Sequence, residues 1–89
     1  MIEKIITVTN KLGLHARPSA KVVQTAAQFK SEISLSKGTM TINAKSMLGV
    51  MALAAEFGSN LILRVEGEDE KDAAREIVKL FRQKFKDAY

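Results

Sequence analysis

Strand-type and helix-type hydrophobic patterns follow one another along this chain of 89 residues, and their order restricts the fold more than any other feature. Alternation of apolar and polar residues is typical of half-buried strands and occurs around residues 2–9, 33–36, 39–43 and 61–66. Apolar residues spaced three and four apart indicate helices, and this spacing occurs over residues 16–29, 47–53 and 70–85. The order β-α-β-β-α-β-α predicts an α+β fold.

The helices can cover only one face of the sheet well. We therefore expect an open-faced sandwich, a four-stranded and mostly antiparallel sheet with three helices on one face. Lys37 and Gly38 can form the tight turn of a hairpin between the second and third strands. Ser46 and Asp69 suit the N-caps of the second and third helices, and Gly58 suits the end of the second helix.

The composition limits the functional classes. No repeat, low-complexity segment or linker divides the chain, which predicts one domain over residues 1–89. The absence of cysteine excludes a disulfide framework, and a single histidine argues against a zinc site, so no metal site is predicted. No apolar run approaches the length of a membrane span, and the N-terminus lacks the apolar core of a signal peptide. These features predict a cytoplasmic protein without direct membrane insertion.

The net charge of +4 and the pI of about 9.6 favour an acidic partner: a nucleic acid, an anionic membrane or an acidic protein surface. Four basic residues crowd the C-terminal segment: Lys79, Arg82, Lys84 and Lys86. Cations near a helix C-terminus are also favoured by the helix dipole. We prefer that structural explanation, and nucleic acid is not among the expected partners.

The only histidine and the only proline of the chain lie close together, in residues 13–20. Gly13 permits a turn, and Pro18 suits the first turn of a helix, where its missing N–H is no loss. This arrangement predicts that His15 lies at a helix N-terminus, with Arg17 two residues later.

A helix N-terminus attracts anions, because its first N–H groups have no internal partner and the helix dipole is positive there. A phosphoryl group on a ring nitrogen of His15 would meet the N–H groups of Ala16 and Arg17. The Arg17 guanidinium could add a charge-assisted hydrogen bond. The alternative interpretation is that His15 and Arg17 are solvated surface residues.

Residues 13–18 read Gly-Leu-His-Ala-Arg-Pro and closely resemble the active-site signature of the HPr family, the histidine-containing phosphocarriers of the bacterial phosphotransferase system. The resemblance extends over nearly all of the chain and implies the same open-faced sandwich. It implies that His15 accepts a phosphoryl group from phosphorylated enzyme I and passes it to the A domain of sugar permeases. Arg17 and the N–H groups of Ala16 and Arg17 would hold the phosphate. Such a carrier is not a stand-alone enzyme, it is expected to be monomeric, and no cofactor is implied.

Residues 45–51 resemble a second HPr feature, centred on Ser46. In the family this serine is the target of a regulatory ATP-dependent enzyme, HPr kinase/phosphorylase. The resemblance therefore implies regulatory phosphorylation of Ser46, with that kinase and a catabolite-control transcription factor as further partners. Not every HPr is phosphorylated there, and the alternative is that Ser46 is only an N-cap.

The resemblance also implies an apolar docking surface beside the histidine, formed by Ala20, Gln24, Met47, Leu48 and Met51. Val50 and Leu53 of the same segment are expected in the core. Position 12 is often polar in HPr proteins, whereas here it is Leu12, which removes one phosphate contact.

Two other functions stay open. One is a purely regulatory HPr-like protein, either a corepressor phosphorylated on Ser46 or a nitrogen-related paralogue. The other is a small basic RNA-binding domain, although the chain lacks the aromatic sheet motif of an RRM and the Gly-x-x-Gly loop of a KH domain.

Overall fold

The computed structural model describes residues 1–85 and contains four strands and three helices in the predicted order. The strands are β1 (Ile2–Thr7), β2 (Glu32–Lys37), β3 (Met40–Asn43) and β4 (Asn60–Glu66). The helices are α1 (Ala16–Ala26), α2 (Met47–Ala52) and α3 (Glu70–Arg82). The strands form one sheet in the order β1-β4-β2-β3, and every neighbouring pair is antiparallel. The prediction of an α+β open-faced sandwich is confirmed.

The core lies between the sheet and the helices. Alternate residues of β4 are fully buried, and the register places Leu63 opposite Leu35 of β2 and Leu61 opposite Ile6 of β1. The helices contribute buried side chains to the same cluster: Val22, Ala26, Val50, Ala73, Ala74, Ile77 and Phe81. Burial of one side of each strand explains the alternation in the sequence.

The opposite face of the sheet carries a polar network across its strands. Arg64 donates from Nε to Glu3 at 2.7 Å and from Nη1 to the Ser36 hydroxyl at 3.0 Å. The Ser36 hydroxyl also lies 2.7 Å from that of Thr41. These hydrogen bonds join all four strands across the face that the helices do not cover.

Two helices end earlier than the sequence pattern predicts. α1 ends at Ala26, before Phe29, where bonds from Gln28 to Thr25 and from Phe29 to Ala26 tighten the last turn. The prediction that Gly58 ends α2 is wrong. Ala54 leaves the helix with a φ of 49°, and Gly58 lies in the turn before β4, where its N–H donates to Val8 at 2.8 Å.

The two ends of α3 also differ from the prediction. Asp69 occupies the N-cap position, but its carboxylate does not cap α3. It accepts hydrogen bonds from the N–H groups of Lys30 and Ser31 and from the Ser31 hydroxyl. Phe85 is not part of the helix: it follows Arg82 with a φ of 59°, and its N–H donates to Leu80. That turn buries its ring against Phe81 at a centroid distance of 4.9 Å.

Of the basic C-terminal residues, Lys79 and Arg82 lie in the last turn of α3, as expected from the helix dipole, and Lys86 lies outside the described residues. Over residues 1–85, no helix is both long and apolar enough to cross a membrane.

Candidate functional site

The loop between β1 and α1 is held in place by a contact that only glycine permits. Gly13 has a φ of 67°, and a Cβ there would collide with the carbonyl oxygen of Ala55. The next N–H, that of Leu14, donates to the same carbonyl at 2.8 Å. The side chain of the buried Asn10 donates to the Gly13 carbonyl and closes the turn. These bonds fix the chain immediately before His15.

His15 is the N-cap residue of α1, as predicted, with an extended backbone at φ −81° and ψ −170°. Its carbonyl accepts from the N–H of Ser19 at 3.0 Å, and the Ser19 hydroxyl donates to Leu14 at 3.1 Å. The imidazole does not cap the helix. The residue is half-buried, and the buried nitrogen of its ring is Nε2.

The first turn of α1 follows His15 directly. The N–H groups of Ala16 and Arg17 precede that of Ser19, which is bonded to His15, and Pro18 has no N–H. Both Ala16 and Arg17 are exposed. The positive end of the α1 dipole therefore lies at His15, a position that favours an anion.

A shallow depression of about 540 Å³ opens beside His15. On one side it is bounded by Lys11 and Leu12, and on the other by residues 54–57. Leu12 is 71% exposed and Phe57 is 64% exposed, so each side of the rim carries one exposed apolar side chain next to a charged one, Lys11 or Glu56. The histidine thus lies in an open, partly apolar surface and not in an enclosed pocket.

Ser46 is the N-cap of α2, as predicted. Its hydroxyl accepts from the N–H of Gly49 at 3.0 Å, and its carbonyl accepts from Val50 at 2.9 Å. The side chain is half-buried. A phosphate on this oxygen would lie at the positive end of a short helix.

The residues of the expected docking surface lie on two helices that pack against each other, α1 and α2. On α1, Ala20 is half-buried and Gln24 is exposed. On α2, Leu48 is the most exposed at 85%, and Met47 and Met51 are about half as exposed, at 38% and 41%. Val50 and Leu53 are buried, as expected.

Phe57 and its neighbours Ala54–Glu56 are the part of the site that the sequence analysis missed. The predicted extension of α2 towards Gly58 placed them on a helix. A signal for a turn was present in Gly58, Ser59 and Asn60, since these residue types are common in turns. Nothing in the local pattern, however, indicates that this turn lies beside residue 15.

The shifted carboxylates belong to the fold and not to the site. Hydrogen bonds from the Ser31 hydroxyl and the Lys30 N–H lower the pKa of Asp69, and a hydrogen bond from the Gly67 N–H lowers that of Glu70. Neither residue lines the depression at His15. Within residues 1–85, no group of three or more histidine, cysteine, aspartate or glutamate side chains is arranged to hold a metal ion.

Comparison with known proteins places this geometry in a family. A family model described as the PTS HPr component phosphorylation site matches residues 2–83. The phosphocarrier protein HPr of Treponema pallidum is 49% identical over 98% of this chain and 99% of its own length. The HPr-like protein Crh of Halalkalibacterium halodurans is 45% identical over 88% of this chain and 93% of its own length.

Solved structures agree with this match. A crystal structure of HPr from Thermoanaerobacter tengcongensis superimposes with a TM-score of 0.95 at 43% identity, with both chains fully covered. A structure of an HPr dimer from the same organism has a TM-score of 0.77 at 45% identity, over 96% of this chain and 98% of the other. With the family model covering nearly all of its length, this chain belongs to the HPr family of phosphocarrier proteins of the phosphotransferase system.

Proposed function

We propose that this protein carries a phosphoryl group on His15, which it accepts from phosphorylated enzyme I and passes to the A domain of a sugar permease in the cytoplasm. The position of His15 carries the proposal. The only histidine of the chain is the N-cap residue of α1, at the positive end of the helix dipole, and it lines an open depression of the surface. Membership of the HPr family supports a phosphocarrier role.

We assign the phosphoryl group to Nδ1 of His15, because Nε2, the other ring nitrogen, is buried. In the first transfer, the lone pair of Nδ1 attacks phosphorus and an N–P bond forms. The bond between phosphorus and the donor breaks, and its electron pair leaves with the donor. In the second transfer a nucleophile of the permease A domain attacks phosphorus and forms a new bond, the N–P bond breaks, and its electron pair returns to Nδ1.

The residues that follow His15 hold the transferred group. The N–H groups of Ala16 and Arg17 bind phosphate oxygens at the start of α1, and the Arg17 guanidinium adds a charge-assisted hydrogen bond. Their stabilisation of the carried phosphate is moderate, since a carrier that bound it too tightly would not release it. Phosphoryl transfer needs positioning and charge stabilisation more than covalent chemistry by the protein, and both come from this one helix end.

Incubation with enzyme I and labelled phosphoenolpyruvate tests the proposal. Wild-type protein should acquire acid-labile label, and His15→Ala should acquire none. Ser46→Ala is the matched control, because it alters the start of α2 and leaves the histidine in place. This variant should be labelled like wild type. Equal acid-labile labelling of His15→Ala would refute the proposal. Label on Nε2, detected by phosphorus–nitrogen couplings in NMR spectra, would refute only the assignment to Nδ1.

We further propose that enzyme I, the permease A domain and HPr kinase/phosphorylase dock in turn on Ala20, Gln24, Met47, Leu48 and Met51, and that one monomer supplies the whole surface. Leu48 projects most of its side chain from α2, and Met47 and Met51 are partly exposed beside it. Flexible methionine side chains suit a surface that binds several partners.

Phosphorylation of Ser46 would regulate this docking. It adds nearly two negative charges at the start of α2, next to Met47 and Leu48. A basic carrier that binds an acidic surface of enzyme I would then dock less well, while the helix dipole accommodates the charge within the fold. The same phosphate could present the protein to a catabolite-control transcription factor.

The initial rate of His15 phosphorylation against carrier concentration, at low and high salt, tests this regulation. Ser46→Asp should fold normally and react more slowly through weaker binding, with a smaller effect than the true phosphate. High salt should narrow the difference from wild type. Ser46→Asn, which keeps an N-cap residue without the charge, is the control. Identical curves for wild type, Ser46→Asp and phosphorylated protein would leave Ser46 as an N-cap only.

The similarity to Crh, which in Bacillus subtilis is described as the catabolite repression HPr, favours a second candidate, a purely regulatory HPr-like protein. We propose that such a regulator would act through Ser46. Both candidate functions use the docking surface on α1 and α2, and they differ in whether His15 is phosphorylated. Rapid labelling from enzyme I followed by transfer to a permease A domain supports the carrier. Labelling by HPr kinase alone supports the regulator.

A further inference from the structure

A second concave surface lies between β1 and α3 and shares no lining residue with the depression at His15. It consists of two depressions, of about 620 and 520 Å³, which have Lys4, Val78 and Arg82 in common. They therefore form one groove along the seam between strand and helix, called here the β1–α3 groove. Its apolar lining includes Ile2, Ala74 and Val78.

The ionisable side chains that line this groove within the described part of the chain are all basic: Lys4, Lys71, Arg75, Lys79, Arg82 and Lys84. The nearby carboxylates of α3 are already engaged. Asp72 and Glu76 pair with Arg75, and Glu70 pairs with the N-terminal amine. No ion pair over residues 1–85 joins the other five cations to a carboxylate.

The helix dipole accounts for only part of this charge. Lys79 and Arg82 lie in the last turn of α3, where cations are favoured. Lys71 lies in the first turn, where the dipole disfavours a cation, and Lys4 lies on a strand. The helix dipole therefore does not explain why Lys4 and Lys71 line the same groove as Lys79 and Arg82. An anionic ligand in the groove would explain it.

The strand that forms one wall of the groove can also take a further partner. In the described sheet β1 lies at the edge and pairs only with β4, so alternate N–H and C=O groups of β1 point away from its neighbour. Ile5 of this strand lines the groove and is 76% exposed. A lysine on an edge strand discourages pairing with neutral or basic strands, and it would favour an acidic one.

We propose that the β1–α3 groove binds an extended acidic segment of a partner protein, which pairs along the outer edge of β1 and sets its carboxylates against Lys4, Lys71 and Lys79. This mode of recognition combines backbone hydrogen bonds with side-chain charge. It goes beyond the proposed phosphoryl transfer, since it uses none of the residues at His15.

Features of the groove argue against other occupants. A second copy of this chain would set the same basic groove against this one, and repulsion between like charges opposes that pairing. Proteins that bind single-stranded nucleic acid combine a basic groove with exposed aromatic rings for stacking, whereas Phe81, the aromatic residue that lines this groove, is 3% exposed. A flat lipid surface would not reach the concave floor.

Fluorescence anisotropy with a labelled peptide of alternating valine and glutamate, about ten residues long to match a strand, tests the proposal. The decisive variant is Lys71→Glu. An acidic residue in the first turn of α3 favours the helix, so loss of fold cannot explain loss of binding. The matched control is Lys30→Glu, which makes the same change in net charge at an exposed side chain outside the groove. Lys71→Glu should raise the Kd about fivefold or more, and Lys30→Glu should change it little.

Backbone NMR shifts locate the bound peptide. The expected changes fall on β1 and α3, and they weaken as salt rises. Equal weakening by Lys71→Glu and Lys30→Glu, or shift changes confined to α1 and α2, would overturn the proposal. It would also fail if phosphatidylserine vesicles or polyuridylate bound at β1 and α3 more tightly than the peptide, since the groove would then serve a membrane or a nucleic acid. These outcomes are independent of His15 phosphorylation.

Discussion

At the scale of single residues, the His15 site depends on neighbours that have quite different tasks. Gly13 shapes the loop, His15 is the proposed phosphoryl acceptor, and Arg17 is the proposed source of positive charge. Gly13 is packed against the carbonyl of Ala55, which is far away in the sequence, whereas Arg17 is exposed. Substitutions at these two positions should therefore separate folding from transfer.

Replacing Arg17 by alanine should slow phosphoryl transfer through His15 by about an order of magnitude or more, because a charge-assisted contact to the phosphate is lost. The melting temperature should change little, since the side chain is exposed. Rapid-quench transfer from enzyme I and thermal unfolding measure the two effects. Arg17→Lys, which keeps the charge but not the fork of donors, should be intermediate. A large fall in melting temperature with normal transfer would make Arg17 structural.

Replacing Gly13 by alanine should destabilise the fold more than replacing Gly38. Both glycines have a positive φ, of 67° and 59°, so each alanine costs about 1–2 kcal/mol of backbone strain. Only at Gly13 does the new Cβ also collide with the Ala55 carbonyl, whereas at Gly38 it meets open space. Thermal unfolding of both variants checks the difference. Equal losses of stability would show that the loop moves away from Ala55 without cost.

At the scale of elements, the connections between helices and strands depend on side chains that reach across the chain. The carboxylate of Asp69, before α3, holds the N–H groups of Lys30 and Ser31, before β2. It thereby fixes the loop before β2 against the loop before α3. The Lys30–Glu68 pair beside it is exposed on both sides and adds little.

The stability of the protein in acid should depend on Asp69. Its hydrogen bonds lower the pKa of the folded carboxyl below the usual 3.8, so their stabilisation is present above that pH. It is lost as the pH falls through the lower, folded-state value. Asp69→Asn should be less stable at neutral pH and should lose less stability on acidification below 3.8. Melting temperatures of wild type, Asp69→Asn and the exposed control Asp72→Asn across this range give the comparison. Parallel curves for all three proteins would exclude the role of Asp69.

At the scale of the whole molecule, the helical layer is closed by the turn that follows α3. Phe85 is 1% exposed and packs edge-on against Phe81, although it lies outside the helix. Phe57, by contrast, is 64% exposed beside His15. The two phenylalanines thus contribute to different properties, the first to the core and the second to the surface of the site.

Phe85→Ala should therefore cost about 3–5 kcal/mol of folding stability, the usual loss for a buried aromatic ring. Phe57→Ala, the same substitution at an exposed position, should stay within about 0.5 kcal/mol. Urea unfolding monitored by circular dichroism measures both. A small effect of Phe85→Ala would mean that the turn after Arg82 contributes little to the core.

Much of the site could be predicted from the sequence, because its signals are local. A glycine, a histidine and a proline within six residues indicate a loop that leads into a helix, and they placed His15 at its N-terminus. Ser46 was recognised as an N-cap for the same reason. The order of strands and helices follows from hydrophobic periods that span only a few residues.

The amino-acid sequence by itself determined the elements, their order and the position of His15 at the start of α1, since each depends on neighbouring residues. Only the tertiary structure decided which strands pair, that Ala54 ends α2, that Asp69 binds Lys30 and Ser31 instead of capping α3, and that Phe57 lies beside His15. The physical reason is that these features depend on contacts between residues far apart in the chain, such as Leu14 with Ala55, and no local pattern encodes such contacts.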